Sequence, residues 1–379
     1  MKTVKTWVEI SRSALTSNVS EFRRLLGSGI KIAGVVKANA YGHGLLEVVR
    51  AVQAKVDYWA VDSVSEALQV RTIDKDKNIV VLGYTPLDQL EILLNKKCEQ
   101  VVSNIETLIK LKALTAKKKR FFAVHLKIET GTSRQGILLQ NLPEFLRIIK
   151  GAKYLKLAGV STHFANVEDT TDHSYARQQL AHYESAVKLI EKAGFKNFIR
   201  HTACSAAAIA FPQSRFDMIR LGISLYGLWS SPETKLSAKE QGIKLNLLPA
   251  LTWKTRVAQL QTLPKGTAVS YGCLEKLTRK SRLAVLPVGY YDGYDRGFSS
   301  LGRVLIRGQY CRIIGRVCMN MVIADVTNVK NIKLEDEVIL LGRQGTEVLW
   351  AEDLARVIGT INYEVVTRIN PLLPRLLLK

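Results

Sequence analysis

No two of the five cysteines (Cys98, Cys204, Cys273, Cys311 and Cys318) form a C-x-x-C pair, and their odd number is spread along the chain. Neither a disulfide framework nor a zinc site is indicated, so no metal is expected. No apolar run approaches the roughly 20 residues needed to cross a bilayer. The opening M-K-T-V-K-T-W-V-E-I has neither the apolar core nor the small-residue cleavage site of a secretory signal, so the expected location is the cytoplasm, with no membrane partner. Acidic residues are scarce: 33 Asp and Glu stand against 55 Lys and Arg, a formal net charge of +22. Such an excess invites a nucleic-acid reading, but its distribution argues against one. The densest cluster, Lys117 to Arg120, closes a helix that begins near Asn104, where cations complement the helix dipole. No aromatic-interleaved basic stripe accompanies it, and nucleic acid is not an expected partner.

At 379 residues the chain exceeds one ordinary core. From about residue 12 to 230, strand-like and helix-like patterns alternate. Leu15, Val19, Phe22 and Leu26 share a helix face after Ser11 or Ser13 and before Gly27. Eight strand-like runs follow: Ile30–Val36, Tyr58–Val61, Ile79–Leu82, Gln100–Val102, Phe121–Ile128, Leu155–Ser161, Phe198–Thr202 and Met218–Leu221. The clearest helix between them runs from about Asp172 to Ala193. This alternation favours an α/β fold, a (β/α)8 TIM-like barrel, over an open doubly wound sheet. Ser230–Gln241 has linker composition. Beyond it, Leu251–Leu263, Arg282–Val288, Arg303–Ile306, Arg312–Val317, Met321–Val326 and Glu337–Leu341 alternate or are β-branched, with one helix near Ala351–Ile358 and a docked extended tail. They predict a second, mainly β domain.

The stretch K-I-A-G-V-V-K-A-N-A-Y-G-H-G, residues 31 to 44, delivers a single lysine, Lys37, at the end of a buried strand. A lysine among apolar groups loses hydration, which favours the free amine and its attack on a carbonyl. The plain alternative is a lysine snorkelling to solvent. In a barrel the strand C-termini define the ligand face. They supply Lys37 and Tyr41, then Lys127 and Arg134, His163, then His201, Cys204 and Ser205, and finally Arg220, Gly222 and Ile223. Ser205 opens a short helix, and Gly222–Ile223 offers backbone N–H groups suited to a phosphate. An amine nucleophile, phosphate donors and an arginine together suggest pyridoxal phosphate on Lys37.

The segments V-V-K-A-N-A-Y-G-H-G, S-T-H-F-A-N, H-T-A-C-S-A-A, M-I-R-L-G-I-S-L-Y-G, V-S-Y-G, G-R-V-C-M-N and I-N-Y-E-V-V-T-R-I, in this order, resemble the alanine racemases, fold-type III pyridoxal phosphate enzymes, from about Val4 to Arg375. The resemblance implies racemisation of L- and D-alanine, supplying D-alanine for peptidoglycan. It implies that Lys37 holds the coenzyme and is one base, and that Tyr271 of a partner subunit is the other. Tyr41, Ser205, Gly222, Ile223 and Tyr363 would hold the phosphate. Arg220 would meet the pyridine nitrogen, and His163 would link Arg220 to Tyr271. Arg134, placed by Lys127, would reach the coenzyme's phenolic oxygen and the substrate carboxylate. Met319 would touch that carboxylate through its backbone, and Tyr290 would line the way in. The implied assembly is a homodimer with shared sites. The implied domains are a coenzyme-binding barrel over residues 12–240 and a β domain of residues 1–11 plus 241–379 that completes the partner's site.

Racemisation needs two acid/base groups on opposite faces of Cα, which a lysine and a tyrosine supply. A decarboxylase of basic amino acids on the same kind of barrel needs a carboxylate at the ring nitrogen, and Arg220 with Tyr271 argues against it. A racemase of wider substrate range stays open. Three departures from the family pattern bear on substrate preference: Cys204 where asparagine is common, Asn320 where aspartate is common, and T-G-T-S-R at residues 130–134 in place of T-G-M-G-R.

Overall fold

The structure, a computed structural model, describes residues 4–168 and 172–379, so the first three residues of the expected β domain lie outside the described residues. The chain divides into two compact units. One comprises Ala14–Ala38 and Val48–Leu248. The other comprises the described part of Met1–Ser13 with Asn39–Glu47 and Pro249–Lys379. Among the described residues, no helix is long and apolar enough to cross a membrane.

After β1 (Thr6–Ser11) and a helix at Arg12–Leu26, eight parallel strands follow: β2 (Lys31–Val35), β3 (Tyr58–Val61), β4 (Ile79–Val81), β5 (Cys98–Val102), β6 (Phe122–Lys127), β7 (Leu155–Ser161), β8 (Ile199–His201) and β9 (Met218–Leu221). They form one sheet in the order β8-β7-β6-β5-β4-β3-β2-β9. The Asp217 and Arg220 N–H groups reach the Arg200 and Ala203 carbonyls at 3.1 and 2.9 Å, which brings β8 and β9 together and leaves the barrel nearly closed. All eight expected strands are present, with ends shifted by two residues or fewer. β2 to β4 show why they were readable: Ile32, Ala33, Val35, Trp59 and Ile79 are buried on a sheet covered on both faces. Helix starts follow local chemistry. The Asn104 side chain accepts the Thr107 N–H, and the helix Ile105–Lys118 ends on basic residues.

The polar stretch expected as a linker is instead a helix, Pro232–Glu240. Ser231 caps it by accepting the Thr234 N–H, Pro232 opens its first turn, and Glu233 meets the positive end of its dipole. Small buried residues, Thr234, Ser237 and Ala238, form its inner face, so no large apolar stripe marked it in sequence.

In the second unit β1 pairs antiparallel with β10 (Leu251–Arg256) and parallel with the tail, which is the strand Arg375–Leu378. Between them lie β11 (Gln259–Leu263), the short pair β12 (Ala268–Val269) and β13 (Glu275–Lys276), β14 (Ser281–Leu286), β15 (Arg303–Ile306), β16 (Gln309–Arg312), β17 (Val322–Asp325), β18 (Glu337–Gln344) and β19 (Glu347–Leu349). The tail is β20 (Arg375–Leu378), and the main sheet runs β16-β15-β18-β10-β1-β20. The run Arg312–Val317 is not the strand it resembles. The strand β16 ends at Arg312 and only an isolated bridge from Ile313 to Ala324 follows, because Gly315 adopts a left-handed turn (φ +72°) that breaks the extended backbone. Helices at Ala351–Ile358 and Asn362–Thr367 complete the unit.

Candidate functional site

The ligand end of the barrel is assembled from strand ends, and the segment after β2 is its least ordinary part. Val36 still donates to the Ala60 carbonyl at 2.9 Å, and Lys37 follows. Then Ala38, Asn39, Ala40 and Tyr41 all have φ between +52° and +53°, a full left-handed turn built without glycine. Each such residue costs roughly 1–2 kcal/mol, so surrounding bonds must hold the turn. Glu66 provides one clamp: its carboxylate accepts the Ala38 and Asp62 N–H groups, each at 2.7 Å. Ser63 in turn accepts the Glu66 N–H at 3.3 Å. The S-V-S-E sequence of residues 63–66 signals a helix start, but nothing in it signals that the glutamate reaches the lysine loop. The Lys37 ammonium lies 3.5 Å from Asp62, both half-exposed, an ion pair worth little to stability.

Further round the barrel, cations gather. Burial, then Arg134 and Arg220, lower the Lys127 ammonium from its ordinary value to about 8. His163 is driven down to about 3 by burial and then by Arg220, Lys127, Arg134 and Lys37. That ring is therefore neutral and sits in the joint field of four cations. Arg220 is fixed through the Thr162 and Thr202 carbonyls at 2.8 and 3.0 Å and through His163 Nδ1 at 3.3 Å. Glu129 does not neutralise this group by an ion pair to Arg134; it takes the Gly131 and Ser133 N–H groups instead, at 2.6 and 3.0 Å. Thr132 donates to the His163 carbonyl at 2.8 Å, tying the Arg134 loop to the end of β7.

Ser205, Gly222 and Ile223 also come together. The Ser205 hydroxyl accepts the Gly222 N–H at 3.0 Å and lies 3.4 Å from the Ser224 nitrogen, while Ile223 opens the turn Ile223–Tyr226. Cys204 caps the helix Ser205–Ala210 without a side-chain bond, and burial pushes its thiol up to about 11, so it is a neutral group there.

The other unit places the remaining residues in two groups. Tyr41 and Tyr363 face each other with ring centroids 6.0 Å apart. Behind Tyr41, the buried His43 ring lies 2.9 Å from the Tyr41 carbonyl, and Arg375 of β20 donates to the Gly42 carbonyl at 3.0 Å. The second group is Tyr271, Tyr290 and Met319. Tyr290 and Tyr291 donate to the Cys318 and Met319 carbonyls at 3.1 and 3.0 Å, while Ser270 donates to the Arg316 carbonyl at 2.7 Å. Ser270, Gly272 and Cys273 all have positive φ, so strained backbone brackets Tyr271, which is 72% exposed.

Two measurable consequences follow. Gly42 has φ +81°, and a Cβ there would lie 1.9 Å from the Val366 carbonyl oxygen. Gly42→Ala is expected to lower the unfolding free energy by about 2–4 kcal/mol in urea titrations. Gly194→Ala, at φ +93° with open space around it, should cost only about 1 kcal/mol. Equal losses would contradict the clash. The second consequence concerns acid. His43 and His163 are held at about 4 and 3 in the folded chain, with His201 also well below its ordinary 6.5. Burial, the largest cause in each, keeps these rings neutral while the unfolded chain takes up their protons below pH 6.5. Stability is therefore fully present above pH 6.5 and falls as pH drops toward 4. Urea midpoints at pH 7.5 and 5.0 check it, and a flat profile across that window would contradict it.

The chain matches the family described as "Alanine racemase, N-terminal domain" over residues 10–230 and "Alanine racemase, C-terminal domain" over residues 250–377. It is 38% identical to the alanine racemase of Leptospira interrogans serovar Lai, covering 99% of this chain and 96% of that one. The alanine racemase of Halothermothrix orenii is also 38% identical, over 98% of this chain and 96% of its own. Among solved structures, the alanine racemase of Clostridium difficile superposes with a TM-score of 0.92 at 34% identity, over 98% of this chain and 95% of that chain. That of Bacillus anthracis with bound L-Ala-P gives 0.92 at 31% identity, over 99% and 95%. With both domains matched and relatives of this identity aligned end to end, the chain belongs to the alanine racemase family.

Proposed function

We propose that the protein interconverts L- and D-alanine with pyridoxal phosphate bound covalently to Lys37, that Lys37 and Tyr271 exchange the Cα proton from opposite faces, and that the product supplies peptidoglycan synthesis from the cytoplasm. The observation that carries this reading is the gathering of Lys37, Lys127, Arg134 and Arg220 around one neutral histidine. An amine for the aldehyde, cations for its negative charges and the Ser205–Gly222–Ile223 cluster for its phosphate make a donor set that fits this coenzyme. When bound, the coenzyme draws electrons from Cα and acidifies the proton there.

The chain's own groups do the rest. The Lys37 amine would take or return the proton on one face, and the Tyr271 hydroxyl would serve the other. Tyr41 and Tyr363, with Ser205, Gly222 and Ile223, would hold the phosphate. Arg220 would meet the ring nitrogen. A guanidinium holds its own protons and only donates hydrogen bonds, so it leaves that nitrogen unprotonated and restrains the electron withdrawal. His163 links Arg220 to Tyr271. Arg134, placed by Lys127, and the Met319 backbone receive the substrate carboxylate, and Tyr290 lines the way in. Tyr271 comes from a second subunit, so the active unit is a homodimer. The exposed Tyr271, Leu274, Tyr290, Tyr291, Met319 and Met321 on linked loops support that pairing. The L-Ala-P bound in the Bacillus anthracis relative supports an alanine-sized substrate.

Borohydride reduction of the coenzyme-loaded protein, followed by peptide mass spectrometry, tests the anchor. The adduct is expected on Lys37, and an adduct on another lysine would overturn the assignment.

A further inference from the structure

Inside the barrel a line of polar side chains runs away from Arg220 into the core, beyond the residues assigned above. Arg220 Nη1 lies 3.0 Å from His201 Nδ1, and His201 Nε2 lies 2.9 Å from His125 Nδ1. His125 Nε2 lies 2.6 Å from Glu99 Oε2. The other Glu99 oxygen accepts from the Asn78 amide at 2.7 Å, and that amide also reaches the Tyr58 hydroxyl at 2.7 Å. Both histidines have no exposed surface, and Glu99 and Arg220 are each 7% exposed. A buried carboxylate within a barrel strand, C-E-Q-V-V, is costly unless it has a purpose or a partner.

The direction of this line is fixed by chemistry. A guanidinium can only donate, so His201 Nδ1 accepts and its proton sits on Nε2. His125 Nδ1 must then accept from His201, which puts its proton on Nε2, aimed at the Glu99 carboxylate. Every bond points the same way, from the cation through two neutral rings to the anion, and bonds so aligned in a dry interior polarise one another. The fold makes specific room for it. The β6–β7 register shifts between Val124 and His125, so two residues of strand contribute where one would otherwise pair. The facing residue is Gly159, where a Cβ would lie 2.1 Å from His125 Nδ1. The two rings then meet edge-on, with centroids 5.0 Å apart and planes at 76°.

We propose that Glu99, acting through His125 and His201, is a positioning residue for Arg220: it supplies the remote counter-charge and, by accepting the His125 Nε2–H, holds from behind the two aligned imidazoles that orient the guanidinium. This inference rests on Arg220 facing the coenzyme ring, as assigned above. Without Glu99 the His125 Nε2–H loses its acceptor, and the His201 ring that meets Arg220 loses its support from behind.

Glu99→Gln isolates the charge, because the amide oxygen still accepts from His125 and a flip of Asn78 satisfies the amide nitrogen. His125→Phe keeps a ring of similar size but cuts the line. Nitrogen-15 spectra of the histidine-labelled, coenzyme-loaded protein read the tautomer of each ring. Wild type is expected to show Nε2–H at both His125 and His201. Glu99→Gln should shift the His125 resonances and those of His201, and His125→Phe should shift the His201 Nε2–H resonance, while Arg220 still holds His201 in the Nε2–H form. In both variants kcat for alanine should fall about tenfold, with KM within about twofold and the melting temperature within a few degrees. A wild-type His201 protonated on Nδ1, a His201 spectrum unchanged by Glu99→Gln, or a wild-type kcat in either variant would each overturn the proposal. The tautomer spectra decide the line of bonds whether or not the wild type racemises. Loss of wild-type racemisation would strike the assignment of the site instead.

Discussion

Lys37→Ala is expected to lower kcat/KM for alanine racemisation on the order of 10^4-fold or more while leaving the chain folded. The loss would be large because the proposed mechanism gives one side chain two tasks, anchoring the coenzyme and moving the proton on one face of Cα, and general acid–base catalysis alone accounts for roughly 10^2–10^4. The fold should tolerate the change. Lys37 sits at a solvent-facing strand end with a single 3.5 Å ion pair to Asp62, so its removal should shift the melting temperature little. The left-handed turn beyond it is clamped by Glu66 through the Ala38 backbone, which alanine at position 37 leaves intact. Small primary amines added to the variant should restore part of the activity by standing in for the missing amine. Lys37→Ala with near-normal turnover would remove the anchor from the account, and a variant that fails to fold would show that the lysine is structural.

The second large effect concerns assembly. Lys37 and Tyr271 belong to different compact units of the chain. Tyr271 sits on a strained, exposed turn that gains nothing evident within its own unit from being tyrosine. Tyr271→Phe keeps the ring and removes only the hydroxyl, and by itself should be nearly inactive. If two subunits share each site, a hybrid dimer of Lys37→Ala and Tyr271→Phe chains has one site with both defects and one with neither. Mixing the two by refolding or coexpression should therefore restore about a quarter of wild-type activity, since random pairing makes half the dimers hybrid and half of each hybrid's sites whole. If both groups came from one subunit, every site would keep a defect and nothing would return. Differently tagged subunits establish that hybrids have formed, and hybrids without activity would contradict the shared site.

The barrel was legible because its strands are short apolar runs buried on both faces, and because helix starts such as Asn104 carry their own caps. The ligand end was legible for the same reason: once the strands are placed, Lys37, Lys127, His163, Ser205 and Arg220 fall at their C-terminal ends. Three things were not. The turn Ala38–Tyr41 is left-handed although alanine and tyrosine avoid that region, since tertiary clamps at Glu66, His43 and Arg375 override the local preference. The helix Pro232–Glu240 read as a linker because its buried face is made of threonine, serine and alanine. The line from Arg220 to Glu99 joins residues 76 and 26 positions apart in sequence at its two inner links, a proximity created by the side-by-side pairing of β5 to β8. A charged residue within strand β5 and a histidine within strand β6 were its local signs.

The most direct test of the central claim is to incubate the coenzyme-loaded wild-type protein with L-alanine in deuterium oxide and follow both enantiomers by chiral chromatography with mass detection. D-alanine should accumulate until the two enantiomers are equal, as their mirror symmetry requires, with deuterium at Cα of the product. Folded, coenzyme-loaded protein that leaves L-alanine optically unchanged and undeuterated would contradict the account.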